Sequence, residues 1–526
     1  MDTITGLIAA RAAQSPEQPA FIYRDRPVTW SAFAARSRAV AGALAGLGVG
    51  KGDRVALWLP NTPAYLIICA ACARLGAIAV AVNTRFRSAE VGDIIGRSGA
   101  KVLAMWPGFR GIDFPAILGD VDPAALARLS TVIAYREDDA GTAMPASAAH
   151  CRVVRYDELE RAAPFDGDAA APDLGCNIFT TSGTTKAPKF VLHSQSSITR
   201  HAHDVTRAFG YGPSGGAMLQ TLPLCGVFGF SQAMAGLAGG LPLVITSAFD
   251  ADQAIGMIDR YDVRHLNVTD DMVDAILRTT DRADVLPSVA FSGYAAFDAS
   301  LGDIVERAEA RGWKLCGLYG MSEVQALFSL RDHALPVAER RPGGGRLVSP
   351  QAAARVRDVD SGELLPFGET GELELRGPSQ MLGYFENPEA TAETITPDGF
   401  VRTGDLGYMT DDRTFVYLSR MGDVLRLGGF LVSPLEIESH IQAHPGIDGC
   451  QVVGISTPDG PRAVAFVTLQ SGAALDEDAV RRHCLQGLAK FKAPQRVIAL
   501  PEFPTTKSAN GTKIQRGRLR EMAEQA

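Results

Sequence analysis

Apolar and polar positions follow two periods along this chain, and the breaks between them mark its elements. From Ala64 to Val82 the sequence is almost unbroken apolar, interrupted only by Arg74 and Gly76 and followed at once by Asn83-Thr84-Arg85. That length suits a membrane-crossing helix. The charge at Arg74 and the glycine at Gly76 instead divide it into a buried helix, a tight turn and a buried strand over Ala77 to Val82. Val28-Thr29-Trp30 opens a helix running through Ala43, Gly52-Asp53-Arg54 turns into a strand over Val55 to Leu59, and Lys101 to Met105 is again a strand. Residues 138 to 175, rich in Ala, Asp and Pro, read as an irregular connection. Beyond them, strands are expected at Leu243 to Ile245, His265 to Val268 and Val289 to Ser292, with helices between. Strands alternating with helices predict α/β layers with largely parallel sheets. From about 345 the pattern shifts to short strands and Gly-rich turns, as at Gly371 to Leu375 and Thr414 to Leu418. A compact terminal unit follows from about 423, with strands at Gln451 to Val453 and Ala463 to Thr468 and a helix near Asp478 to Leu488.

Composition narrows the class. With 526 residues the chain needs two or more domains. A net charge of −8 without any basic block argues against a nucleic-acid binder, while a local basic pocket for ATP or another polyphosphate stays open. The start, Met1-Asp2-Thr3-Ile4, lacks a basic segment leading into an apolar run, so no secretion signal is expected. The eight cysteines then read as free thiols in a reducing cytosol, which predicts a cytoplasmic protein. Cys69 and Cys72 form a C-x-x-C inside an apolar helical run with no second Cys/His pair nearby, the pattern of core packing rather than of a zinc or redox site.

The candidate chemistry begins at Thr180-Thr181-Ser182-Gly183-Thr184-Thr185-Lys186-Ala187-Pro188-Lys189. Glycine lets backbone approach a ligand, successive N–H groups form an anion cradle, hydroxyls donate to phosphate oxygens, and Lys189 adds positive charge. Asn177-Ile178-Phe179 reads as the strand feeding this loop. The spacing is not that of the Walker loop. Further along, Tyr319-Gly320-Met321-Ser322-Glu323 sets an aromatic face, a glycine, a hydroxyl and a hard oxygen ligand for Mg²⁺ within five residues. Thr403-Gly404-Asp405-Leu406 puts a carboxylate on a turn, Arg420 supplies a fork of donors, and Asn510-Gly511-Thr512-Lys513-Ile514 holds a lysine beside a glycine turn. Taken singly, Tyr319 reads as a core aromatic, Asp405 as a turn cap, Arg420 as a surface ion pair and Lys513 as a solvated charge.

In this order and spacing the motifs resemble those of the adenylate-forming superfamily of acyl-CoA synthetases, adenylation domains and luciferases, over about residues 5 to 520. The resemblance implies an α/β fold: a large N-terminal domain of α/β layers with a β-rich subdomain, plus a small mobile C-terminal α+β domain. The expected division is 1–421 and 422–526, with a hinge near Gly422. By position, the resemblance implies that Thr181, Ser182, Gly183, Thr184, Thr185 and Lys189 grip the β- and γ-phosphates of ATP. Tyr319, with Gly320 and Ala295, lines the adenine site. Ser322 touches the α-phosphate, Glu323 holds Mg²⁺, Asp405 binds the ribose and Arg420 assists it. Lys513 is the catalytic lysine, and Gly428-Gly429 wall the CoA channel after domain rotation. The implied partners are a carboxylic acid, ATP and CoA, or a carrier protein's phosphopantetheine arm in place of CoA; a homodimer is left open.

The sequence departs from the family pattern at several positions. Lys186 and Phe190 stand where glycines are usual, Gly422 where the hinge usually carries Asp or Lys, and Thr512 lies between the glycine and the catalytic lysine. In Leu222-Pro223-Leu224-Cys225-Gly226-Val227-Phe228-Gly229 a large aromatic and a histidine are replaced by Cys225 and Gly226. With Val227, Phe228 and Tyr294 these form the expected acid pocket. Their small size suits a bulkier or deeper acyl group, medium-to-long-chain or cyclic/aromatic, unless a neighbour fills the space. Asp270 and Asp271 read either as partners for a substrate amine or, the stronger reading, as caps of the helix that follows. A catalytically weak nucleotide or acyl-ligand binder is the contrasting class, opposed by the joint presence of Glu323, Asp405, Arg420 and Lys513.

Overall fold

The computed structural model describes residues 2–137, 148–180, 188–212, 216–297, 301–421, 425–427, 430–432, 434–457, 461–488, 490–508 and 511–525. Three sheets build the large N-terminal domain. The first has eight strands, in the order Gly383–Tyr384, Phe190–Ser194, Gly175–Thr180, Ile78–Ala81, Arg54–Trp58, Val102–Met105, Thr131–Ala134 and Arg152–Arg155. It is parallel from Gly175–Thr180 outward to Arg152–Arg155 and antiparallel at its other edge. Its inner strands are apolar without alternation, as helices on both faces require. Gly175–Thr180 and Phe190–Ser194, below β1 and β2, flank the loop expected to bind phosphate.

The long apolar stretch resolves as helix α1 (Pro63–Leu75), buried on nearly all sides, a left-handed cap at Gly76 (φ 67°) and the strand Ile78–Ala81. Among the described residues no helix is long and apolar enough to cross a membrane. Cys69 and Cys72 are buried free thiols within α1, and burial pushes the Cys72 thiol up to about 12.

A five-stranded sheet joins Pro19–Tyr23 and Arg26–Thr29 to three strands from residues 217–265. The third sheet, of nine strands, starts parallel at Val268–Thr269 and Ser292–Ala295 and becomes antiparallel from β3 (Leu315–Met321) and β4 (Gln325–Leu330) onward. It ends in the β-rich subdomain with β5 (Val401–Asp411) and β6 (Thr414–Arg420), which pack Phe328, Leu373, Leu375, Val401 and Phe415 into a core of their own. The C-terminal unit pairs β7 (Ile447–Ile455) with Arg462–Leu469, adds Arg496–Ala499 in parallel, and packs helices Pro434–Gln442, Glu477–Gly487 and Arg516–Gln525 around them.

Three expected segments differ. The supposed irregular connection carries the edge strand Arg152–Arg155 and a short helix, Tyr156–Leu159, because Arg-Val-Val-Arg finds a ladder partner in Thr131–Ala134. The strand expected over His265 to Val268 is broken. The Asn267 backbone N–H donates to Gln232 Oε1 (2.7 Å) and its side chain accepts from Gly293 N (3.1 Å), so side chains replace the ladder there. The next strand starts at Ser292 rather than Val289, whose N–H closes a turn on the Leu286 carbonyl.

Candidate active site

The residues that flank the loop expected to bind phosphate converge on the turn between β3 and β4. The loop residues Thr181, Ser182, Gly183, Thr184, Thr185 and Lys186 lie outside the described residues, as do Gly422, Gly428 and Gly429. Lys189 is described: its ammonium lies 4.5 Å from the centroid of the Tyr384 ring. Phe190, where a glycine was expected, is buried beneath the Arg97 guanidinium (4.1 Å to the ring centroid). Arg97, on helix α2 (Ser88–Ser98), also donates to the Pro188 carbonyl (2.7 Å) and to both oxygens of Asp93 (2.7 and 2.6 Å). The aromatic thus serves as a platform for an arginine that holds the loop's exit.

Gly320, near the end of β3, tolerates no side chain, since a Cβ there would lie 2.4 Å from the Ala326 Cα. Gln325 and Leu327 take positive φ (65° and 64°), a conformation that non-glycine residues adopt only where surroundings impose it. Those surroundings are visible. His193 Nε2–H donates to the Ser322 carbonyl (2.7 Å), His201 Nε2–H to the Ala326 carbonyl (2.6 Å), and the Gln325 amide to the Ser197 carbonyl (2.9 Å). His193 lies on β2, and His201 on helix α3 (Gln195–Ala208). Burial lowers both imidazoles to about 4, so both rings are neutral donors at physiological pH. On the opposite side Met381 N donates to the Glu323 carbonyl (2.8 Å) and the Tyr384 hydroxyl to Glu323 Oε1 (2.8 Å).

Asp405 lies opposite Arg420 in the β5–β6 ladder. It is buried; its Oδ2 accepts the Tyr319 phenol (2.5 Å) and its Oδ1 pairs with Arg420 Nε (3.1 Å). That ion pair lacks hydrogen-bond geometry, so Oδ1 is a buried acceptor with no hydrogen bond among the described residues. Burial raises the carboxyl to about 6, opposed by the charge of Arg420 and by the Tyr319 hydrogen bond. Tyr319, Ser322, Glu323, Asp405 and Arg420, dispersed over a hundred residues of sequence, are therefore gathered at one end of the third sheet.

Of the expected acid-pocket residues, Gly226 caps helix α4 (Val227–Gly239), Val227 and Phe228 are buried, and Cys225 is partly exposed. Burial pushes the Cys225 thiol up to about 12, which makes it a small apolar group rather than a nucleophile. Asn61 braces this segment, donating to the Leu222 carbonyl (3.0 Å) and accepting from Leu224 N (2.7 Å). Tyr294 is buried with its hydroxyl donated to the Arg341 carbonyl (2.5 Å), and Ala295 ends the same strand. Asp270, the first residue of the helix Asp270–Thr279, accepts from Phe297 N (2.6 Å) and Asp271 N (3.0 Å), so it ties the segment after Ala295 to this helix, whose N-cap, Thr269, makes no side-chain cap bond. Lys513 lies on β8 (Gly511–Ile514), paired with Thr506. At the base of that hairpin, Arg516 pairs with the buried Glu438 (2.8 Å), whose Oε1 also accepts from Val452 N (2.7 Å). His193, Arg97, Tyr384, Asn61 and Glu438 carry no motif of their own. Only His193, shortly after Lys189, and Arg516, shortly after Lys513, lie near a motif in sequence.

The profile of the AMP-binding enzyme family matches residues 8–385, and that of the AMP-binding enzyme C-terminal domain matches residues 436–510. The chain belongs to the AMP-binding enzyme family. It is 31% identical to the sulfoacetate–CoA ligase of Cupriavidus necator, over 98% of this chain and 97% of that protein. It is 32% identical to the 3-[(3aS,4S,7aS)-7a-methyl-1,5-dioxo-octahydro-1H-inden-4-yl]propanoyl:CoA ligase of Mycobacterium tuberculosis, over 99% of each. In fold it is similar to ATP-bound MatB from Rhodopseudomonas palustris, with a TM-score of 0.82 at 24% identity over 99% of both chains. The chain is an adenylate-forming enzyme of the acyl-CoA synthetase kind, an AMP-forming acid–CoA ligase that uses ATP and CoA.

Proposed function

We propose that this ligase activates a medium-to-long-chain or cyclic/aromatic carboxylic acid, and that the gathered residues carry the two half-reactions. One observation carries the residue assignment: two buried carboxylates, Glu323 and Asp405, are each held on one oxygen by a tyrosine hydroxyl. Asp405 Oδ1 then suits the ribose hydroxyls, with Arg420 beside it, and Glu323 Oε2 is a hard oxygen suited to Mg²⁺. When bound, Mg²⁺ neutralises phosphate charge. Tyr319, Gly320 and Ala295 form the adenine side, and Ser322 donates to the α-phosphate. Thr181, Ser182, Gly183, Thr184, Thr185 and Lys189 hold the departing pyrophosphate.

The acid's carboxylate oxygen attacks the α-phosphorus of ATP, the bond to pyrophosphate breaks, and an acyl-adenylate results. Lys513 neutralises the charge that develops on the α-phosphate, so this step is one of positioning and electrostatics. The CoA thiol, losing its proton, then attacks the acyl carbon and AMP leaves. We assign the division between residues 1–421 and 422–526 to a rotation near Gly422 that withdraws Lys513 and brings Gly428-Gly429 to the thiol.

The acid class is supported by the small residues Cys225 and Gly226 beside the apolar Val227 and Phe228. Relatives differ in this respect: one is named for sulfoacetate, another for a bicyclic propanoate, a third for long-chain fatty acids. Carrier-protein loading is the less favoured acceptor. Pyrophosphate release with Mg-ATP over a panel of acids, with and without CoA, tests the reading. Release with apolar acids that accelerates with CoA and yields a thioester is expected. Release with sulfoacetate alone would overturn the acid class, and indifference to CoA would overturn the acceptor.

A further inference from the structure

Tyr384 connects two parts of the site that the sequence motifs treat separately. It belongs to the two-residue strand Gly383–Tyr384, which pairs antiparallel with β2, Tyr384 opposite Val191. Strand β2 begins directly after Lys189, so its register fixes Tyr384 against the exit of the phosphate loop. The ring is buried, lies 4.5 Å from the Lys189 ammonium and turns its hydroxyl to Glu323 Oε1 (2.8 Å). Its own backbone N–H donates to Thr391 Oγ1 (2.9 Å), and Met381, three residues earlier, donates to the Glu323 carbonyl (2.8 Å). A Cβ at the preceding Gly383 (φ 149°) would lie 2.8 Å from Thr391 Cγ2, so the strand is packed tightly against the helix Pro388–Thr394. Tyr384 is therefore a rigid post with two working surfaces, a hydroxyl for a carboxylate and an aromatic face for an ammonium.

We propose that Tyr384 is a positioning residue that couples the phosphate-loop lysine to the metal-binding glutamate, so that Mg²⁺ and the pyrophosphate end of ATP are recognised by one rigid unit. The proposal rests on the reading of Glu323 as the Mg²⁺ ligand. The hydroxyl fixes which carboxylate oxygen is turned to the metal, in the way partners of a ligand generally orient it and tune its affinity. The ring favours the Lys189 ammonium over its face, where the negative side of the ring quadrupole attracts it. Two substitutions separate these surfaces. Tyr384→Phe keeps the ring and loses only the hydroxyl, whereas Tyr384→Leu loses both.

The test is calorimetric binding of a non-hydrolysable ATP analogue to the full-length protein, without acid or CoA, at increasing Mg²⁺ and without metal. Tyr384→Phe is expected to raise the Mg²⁺ concentration needed for half-maximal binding by about tenfold. Its metal-free affinity and thermal midpoint stay at the wild-type level. Tyr384→Leu is expected also to weaken metal-free binding several-fold, since Lys189 loses its seat. Glu323→Gln serves as the reference. If it leaves the Mg²⁺ dependence unchanged, the reading of Glu323 fails, and this inference with it. If Glu323→Gln raises the Mg²⁺ requirement and Tyr384→Phe does not, only the role of Tyr384 is wrong. Equal losses of metal-free binding and thermal midpoint in Tyr384→Phe would also overturn it, as the mark of a merely structural residue.

Discussion

Tyr319 donates its phenolic hydrogen to Asp405 Oδ2 at 2.5 Å, so the residue expected to face adenine also holds the carboxylate expected to bind ribose. On the proposed assignment, nucleotide recognition is tied to the protonation of one buried group. Burial moves Asp405 from 3.8 to about 6. Between these values the folded state holds a proton that the unfolded state has lost. Ionising Asp405 thus costs stability as pH rises through 6, while supplying the acceptor proposed for the ribose of ATP. ATP affinity should fall as pH drops below about 6. Tyr319→Phe should move that fall to higher pH, because the phenol favours the ionised form. Asp405→Asn should weaken ATP binding by about tenfold or more and remove the pH dependence. ATP dissociation constants measured on both sides of pH 6 decide this.

The two buried histidines set an acid limit on stability. The unfolded chain takes up protons near 6.5, whereas His193 and His201 in the folded protein do so only near 4. The unfolded state therefore binds more protons between these values. Stability is intact above 6.5 and declines as pH falls toward 4, by about 2–3 kcal/mol for each ring. His193→Gln keeps a donor for the Ser322 carbonyl but cannot titrate. Its thermal midpoint should be less sensitive to acid than that of the wild type, as differential scanning calorimetry at several pH values would record.

Arg516→Met leaves Glu438 buried without its cation and should destabilise the C-terminal unit by about 3 kcal/mol. Because Arg516 closes the hairpin that carries Lys513, the variant should slow adenylate formation more than thioester formation from a supplied acyl-adenylate. Separate rates for the two half-reactions provide the check.

Arg97→Ala removes the donor to the Pro188 carbonyl and uncovers Phe190. Arg97 is substantially solvent-exposed, so the thermal midpoint should barely move. The KM for ATP should rise several-fold, since the C-terminal end of the phosphate loop loses its anchor. Steady-state kinetics with ATP varied at saturating acid and CoA would measure it.

Much of this arrangement was legible in the sequence where interactions are local. Helix α1, its stop at Gly76 and the strand after it follow from one apolar stretch and one glycine. Tyr319, Ser322 and Glu323 are recognisable because a single turn carries them. Contacts made through sheet pairing were not legible. Tyr384 reaches Glu323 across 61 residues of sequence and His193 reaches Ser322 across 129. The first contact follows from the pairing of β2 with Gly383–Tyr384 at a sheet edge, the second from His193, which pairs with Asn177 on the other side of β2. In sequence the pair Gly383-Tyr384 looks like a turn, and His193 looks like any polar position in a strand. The break at Asn267 escaped for a related reason: its backbone partner is the side chain of Gln232, on helix α4.

The proposed function rests on one step, attack of the acid's carboxylate on the α-phosphorus of ATP. The most direct measurement uses the acid that gives the fastest pyrophosphate release, labelled with ¹⁸O in its carboxylate, followed by mass spectrometry of the products after turnover with CoA. One labelled oxygen should appear in AMP and none in pyrophosphate, with the acyl group recovered as the CoA thioester. Label in inorganic phosphate or pyrophosphate, or AMP without label, would rule that step out.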